Sequence, residues 1–291
     1  MTGLKSLPEI DKRLVLWRNT IQLFRKLNRP AFEGPFHKCG YEYKIEAFLK
    51  DNEENTDYNP DIVASNEDSW LIIELTNNSD KSKNNQVLKY KKLSGRNLSV
   101  YGLRSHKSDP EILTSRIEYT DDKNCCQITV KNKLEVYRLD FLTYNSLLEA
   151  LRSSQGIDLS KLPSIPITLV PESKNMEIRR GIADIVMTLF KPGGEGLSSR
   201  QMAELGLERL VEKTGEKQKN DLAKKIEVEM DILIAKSLKD YLSFKSGKYI
   251  STIDSVKSAQ RRESIESRIH EWAYDSQSHL SKFVTGHAIN S

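Results

Sequence analysis

Between residues 153 and 173 the chain carries Gly156, Pro163, Pro166 and Pro171 and no steady apolar period, and the patterns on its two sides differ. Proline lacks the backbone donor that helices and ladders need, so neither kind of element runs through such a stretch. Upstream, apolar residues largely alternate with polar ones; downstream they recur at helical spacing. A chain of 291 residues is long for one core and comfortable for two. These features predict an α/β domain over residues 1–155 and a helical domain over residues 174–291.

In the first part, Ile10, Leu14, Trp17, Ile21 and Phe24 make one stripe and predict a helix over residues 8–28, stopped by Asn28, Arg29 and Pro30. Tyr41, Tyr43, Ile45 and Ala47 alternate with polar residues, as in a strand, with a short helix as the alternative. Residues 62–64 and 70–76 predict two strands joined by the turn Asn66-Glu67-Asp68-Ser69. A helix over 83–93 and a strand over 98–103 are expected next. Strands over 126–130 and 134–139, around Lys131-Asn132-Lys133, and a helix over 144–152 follow. That order suits a mixed sheet with flanking helices.

The second part predicts helices over residues 176–191, from Ser198 or Ser199 to 210, and over 219–238. A hairpin over 241–251 has the basic tip Lys245-Ser246-Gly247-Lys248, and a polar helix covers 255–283. Three helices and a basic hairpin are the layout of a winged helix, which sets a helix in the DNA major groove and its wing on phosphate. Lys224, Lys225, Lys245 and Lys248 are the expected DNA contacts. Glu212, Glu216, Asp221, Glu227 and Glu229 are interspersed with the lysines, so a solvated face or a protein-docking module is the competing reading.

A content of 37% hydrophobic and 30% charged residues fits a globular chain, and a net charge of +4 points only weakly to a polyanion. No run is apolar and long enough to span a bilayer, and residues 1–7 lack a secretory apolar stretch, so no membrane association is expected. Three cysteines, two of them adjacent, make a poor disulfide framework and imply a reducing, cytoplasmic setting. His37, Cys39, Cys125 and Cys126 do not have the spacing of zinc pairs, which leaves the cysteines as buried or partly buried thiols. Gly193-Gly194-Glu195-Gly196 lacks the Lys-Ser/Thr of a phosphate-binding loop and reads as an interhelical turn.

The sharpest local feature is Asn59-Pro60-Asp61-Ile62-Val63-Ala64 followed by Trp70-Leu71-Ile72-Ile73-Glu74-Leu75-Thr76. Alternation sends Glu74 to the face of Ile72 and Trp70, where a carboxylate is costly without a partner, a metal or water. A hairpin through Ser69 would bring Asp61 to Glu74. Two hard carboxylates on neighbouring strands suit Mg²⁺ or Mn²⁺, which lowers the pKa of bound water and stabilises charge on a phosphodiester.

Pro60-Asp61, the hairpin and Glu74-x-Thr76 resemble the PD-(D/E)xK nuclease superfamily, over about residues 36–104. The resemblance implies a restriction-endonuclease-like fold in which Asp61 and Glu74 bind metal. The family's Lys stands two residues after the Glu; here that position is Thr76. Gln86-Val87-Leu88-Lys89-Tyr90 resembles the Gln-x-x-x-Tyr element of some branches, so Lys89, or failing it Lys83, is expected to replace the missing cation. Gln86 and Tyr90 are expected to hold substrate or the metal shell, and Glu46, or less readily Glu42, to be the upstream acid. The implied activity is a metal-dependent DNA endonuclease of restriction, transposition or repair type, with a homodimer open as its assembly. The alternative is a DNA-binding or assembly protein with an inactive nuclease fold. A weaker third reading is an adaptor that does not touch nucleic acid.

Overall fold

The computed structural model describes residues 9–51, 56–76, 89–121, 125–142, 146–191, 195–253 and 259–274. The chain divides into two units, Met1–Pro166 with Glu212–Gly215, and Ile167–Val211 with Glu216–Ser291.

The first unit is mixed α/β. Its six-stranded sheet contains β1 (Glu42–Ile45), β2 (Ile62–Ser65), β3 (Trp70–Leu75), β4 (Glu111–Arg116), β5 (Cys126–Val130) and β6 (Leu134–Tyr137), and its spatial order follows the chain order. β1, β2 and β3 form an antiparallel meander; β4 runs parallel to β3, β5 runs parallel to β4, and β6 closes the sheet as an antiparallel hairpin. Parallel neighbours need a crossover. Between β3 and β4 this stretch contains helical Lys89 and Tyr90 and the 3-10 helix Gly95–Tyr101.

Every residue of β2 and β3 is buried, because both faces of the sheet centre are covered. Helix α1 (Glu9–Gln22) packs on one face, where the hydroxyls of Thr20 and Ser115 lie 2.7 Å apart. On the other face Val63, Trp70, Ile72 and Ile112 pack with Tyr90, Leu93, Leu98 and Leu103. Each aliphatic side chain buried there contributes about 2 kcal/mol. Gly95 permits that contact, since a Cβ there would lie 2.8 Å from Trp70 Nε1.

Several expected elements shift. Residues 98–103 are not a strand. Ser94 accepts the N–H of Arg96 and starts a 3-10 helix, and Gly102, with φ +72°, ends it. The strand that follows the crossover is β4. Helix α1 stops at Gln22 because Lys26–Leu27 pairs with Phe32–Glu33 in a small ribbon. The boundary between the units falls within residues 153–173, at Pro166–Ile167, and Ser160, Lys161, Pro163 and Ser164 are exposed, while both ends of the stretch are tied down. Gly156 and Leu159 donate to Leu134 O and Asn132 O at 2.7 Å each, which ties residues 156–159 to the edge of β6. Ile165, Ile167, Leu169 and Val170 are all buried. The chain also returns to the first unit at residues 212–215. There Thr214 bridges Ile45, and Lys213 pairs with Glu42 at 2.9 Å, which covers the edge of β1.

The second unit contains α3 (Asn175–Thr188), α4 (Ser199–Leu207), α5 (Glu216–Leu233), the hairpin β7 (Leu242–Lys245) and β8 (Lys248–Ser251), and α6 (Ala259–Tyr274); α2 (Ser146–Ser153) belongs to the first unit. Ser198 and Gln201 form a capping box that starts α4. Helix α4 ends at Leu207 and α5 begins at Glu216, with a 3-10 turn, Glu208–Lys213, after α4. Leu197 forms a single antiparallel bridge to Tyr249. Ser246 and Gly247, with φ +51° and +76°, make the two-residue hairpin turn. Inside the unit Arg179 and Glu229 form an ion pair of 2.5 Å, and Arg179 lies over the ring of Trp272. Among the described residues no helix is long and apolar enough to cross a membrane.

Candidate functional site

The site forms where Pro60 interrupts the β2–β3 ladder. Ile62 pairs with Ile73, so Asp61, one residue earlier, falls opposite Glu74. Asp61 Oδ2 accepts the backbone N–H of Leu75 at 2.6 Å, which binds the start of β2 to β3. The N–H of Glu46 donates to Asp61 O at 3.0 Å and extends the β1–β2 pairing by one residue. Glu46, Asp61 and Glu74 therefore fall in one row across three strands. The register continues that row through Thr114 of β4 to Gln127 of β5.

All three acids are buried: Glu46 and Asp61 are 8% exposed and Glu74 4%. Like charges on neighbouring strands disfavour each other's ionised form and favour a cation beside them. Glu46 also has a φ of +48°. A non-glycine residue held there costs on the order of 1–3 kcal/mol, a strain often found at functional positions. Tyr90, fully buried, donates its hydroxyl to Glu74 Oε2 at 3.2 Å, and its ring packs edge-on against Tyr58. This contact sets Glu74 on the face that carries Trp70 and Ile72, opposite α1. The N–H of Thr76 donates to Ser115 O at 3.1 Å, so Thr76 lies beside Arg116 of β4. Arg116 is 4% exposed, and no motif in the sequence singles it out.

The other expected residues separate. Tyr90 reaches the row, while its neighbour Lys89 is exposed. Gln86 and Lys83 lie outside the described residues. Glu42, at the far end of β1, pairs with Lys213. Cys125 and Cys126 are buried, and burial pushes the Cys126 thiol up to about 12. Among the described residues no group of three or more His, Cys, Asp and Glu side chains is placed to hold a metal ion. A cleft lined by Lys38, Asn66, Asp68 and Arg104 opens at the other end of β2 and β3, away from that pair.

In the second unit Lys224 pairs with Asp221 at 3.7 Å, and Lys225 donates to the carbonyls of Pro171 and Ser173 at 3.2 and 3.4 Å. The exposed side of α5 mixes signs, with Lys217, Lys224 and Lys225 among Glu216, Asp221, Glu227 and Asp231. Lys245 and Lys248 face each other across the hairpin turn, Lys245 exposed and Lys248 partly so. Comparison of the chain with protein-family models, with curated proteins and with solved structures finds no match.

Proposed function

We propose that the chain is a divalent-metal-dependent DNA endonuclease, with a restriction-endonuclease-like first unit and a winged-helix second unit. One observation carries the reading: Asp61 lies opposite Glu74, buried, at the end of an antiparallel meander whose next strand runs parallel. Strand, turn, strand, crossover and strand follow in the order that the PD-(D/E)xK resemblance implies. The second unit supports it with three helices, the Leu197–Tyr249 bridge and a hairpin with lysines at its tip.

In this reading Asp61 and Glu74 hold Mg²⁺ or Mn²⁺ and Glu46 assists. The bound cation supplies a water of lowered pKa and offsets charge on the phosphodiester. The chain's own residues fix the ligands: the Leu75 N–H holds Asp61, and the Tyr90 hydroxyl orients Glu74. Lys245 and Lys248 contact phosphate and add affinity without sequence choice.

Incubation of the chain with supercoiled plasmid, in Mg²⁺, in Mn²⁺ and in EDTA, tests the proposal. Nicking or linearisation that EDTA abolishes is expected. Thr76 favours a second reading, a DNA-binding or assembly protein whose nuclease fold has lost catalysis. Salt-sensitive DNA binding without cleavage in either metal would select it.

A further inference from the structure

A second row of side chains lies one step beyond the acids. The Thr76 N–H to Ser115 O bond carries the β3–β4 pairing past Leu75 and sets Thr76 beside Arg116, which pairs on its other side with Thr129. Ser115 meets Thr20 of α1, so its neighbours Thr114 and Arg116 rise from the opposite face, the face of Glu74. Arg116 Nη1 donates to Thr120 Oγ1 at 2.5 Å. In the amide orientation that satisfies both contacts, Gln127, a member of the acid row, donates to Thr120 O at 2.6 Å and accepts the Thr120 N–H at 3.1 Å. A guanidinium keeps its proton at any ordinary pH, so the fold buries a permanent positive charge one step from Glu74.

Asp61 and Glu74 at most offset one divalent cation, and Glu46 adds no positive charge, while a phosphodiester under attack gains negative charge on its non-bridging oxygens. Thr76 cannot neutralise that charge, and Lys89 is exposed. We infer that Arg116 is the phosphate-binding cation of this site, its guanidinium fork on a non-bridging oxygen of the phosphodiester held at Asp61 and Glu74. The inference rests on the phosphodiesterase reading of the site. In the step it serves, a water oxygen bonds to phosphorus and releases a proton to solvent. The bond from phosphorus to one sugar oxygen breaks, and that oxygen takes up a proton. Arg116 keeps its own proton throughout.

The test uses the full chain with two readouts, plasmid cleavage in Mn²⁺ and Mn²⁺-dependent binding of inorganic phosphate, followed by broadening of the phosphorus resonance. Arg116→Gln is expected to lower cleavage at least about a hundredfold and phosphate binding about tenfold, with Mn²⁺ affinity within about threefold. The double variant Thr76→Lys with Arg116→Gln restores the charge on the adjacent strand and is expected to recover cleavage to within about tenfold of the parent. A folded Arg116→Gln that matches the parent in both readouts overturns the inference. So does a loss that Thr76→Lys does not recover, since that marks a structural role. Where Arg116→Gln does not fold, Arg116→Lys decides. A point charge without the fork should weaken phosphate binding about three- to tenfold, and unchanged binding overturns the inference. A parent chain that binds phosphate through Mn²⁺ and Arg116 without cutting DNA removes the nuclease reading and keeps this one. A parent that does neither removes both.

Discussion

Glu74 of the first unit and Glu229 of the second are both almost fully buried, yet their surroundings have opposite balance. Glu229 meets Arg179 at 2.5 Å, one anion against one cation, both within 2% of full burial. Glu74 stands opposite Asp61 and in line with Glu46, three acids in a row, with Arg116 one step away. The pair in the second unit sets a cation directly on its anion. The row in the first unit sets acid beside acid on neighbouring strands, and like charges so placed disfavour one another's ionised form. Equal burial therefore comes with different neighbours in the two places: an acid against a base in one, an acid against an acid in the other.

The largest expected effect removes an acid of the row. Asp61→Ala and Glu74→Ala should each lower metal-dependent plasmid cleavage at least about a thousandfold while DNA binding persists. Comparable cutting by either variant would show that the row is not the site. Stability should move the other way between the two regions. Glu229→Ala leaves Arg179 buried without its anion and should cost about 3–5 kcal/mol in thermal or urea unfolding. Glu74→Gln reduces like-charge repulsion and keeps the shape, so stability should change by less than about 1 kcal/mol, or rise. If Glu74→Gln proves as costly as Glu229→Ala, the two acids have the same structural role and the contrast fails.

How far the sequence reveals these features depends on how local their causes are. Strands β2 and β3 are legible because short apolar runs, Pro60 and the polar turn at residues 66–69 act within a few residues. Asp61 and Glu74 are legible as neighbours for the same reason, since a hairpin fixes its own register. Strand β4 is hidden because burial on both faces erases its alternation. Residues 98–103 alternate well but form a 3-10 helix, with Val100 80% exposed, because Ser94 and Gly102 set the backbone there. The position of Arg116 depends on the register of parallel strands across a crossover, which no local pattern encodes. The Arg179–Glu229 pair joins helices 50 residues apart and is equally silent in the sequence.

A smaller effect concerns where the second unit presents charge outward. Lys224 and Lys225 already have partners inside the unit, whereas Lys245 and Lys248 stand at a hairpin tip. Replacing both tip lysines with Ala should weaken binding about equally across DNA sequences. It should flatten the slope of log affinity against log salt by roughly one for each phosphate that the wing no longer neutralises. An unchanged slope would remove the wing from the interface.

The smallest expected change returns to the acid row and asks how Glu74 is held. Tyr90 is fully buried and its hydroxyl donates to Glu74 Oε2 at 3.2 Å, a neutral donor on an anion. Tyr90→Phe deletes that hydroxyl and keeps the ring against Tyr58 and the core around Trp70 and Ile72. The packing stays nearly intact, so unfolding free energy should fall by only about 1 kcal/mol. If the hydroxyl serves mainly to orient Glu74 for a cation, Mn²⁺ affinity should fall as well, by roughly tenfold, as it does when an outer partner of a ligating carboxylate is removed. A calorimetric titration with Mn²⁺ separates the two roles. Lower stability with unchanged Mn²⁺ affinity would make Tyr90 to Glu74 what Arg179 is to Glu229, an internal partner and nothing more. Lower affinity at nearly unchanged stability would mark the donor as part of the cation site and confirm that the two buried acids differ in purpose.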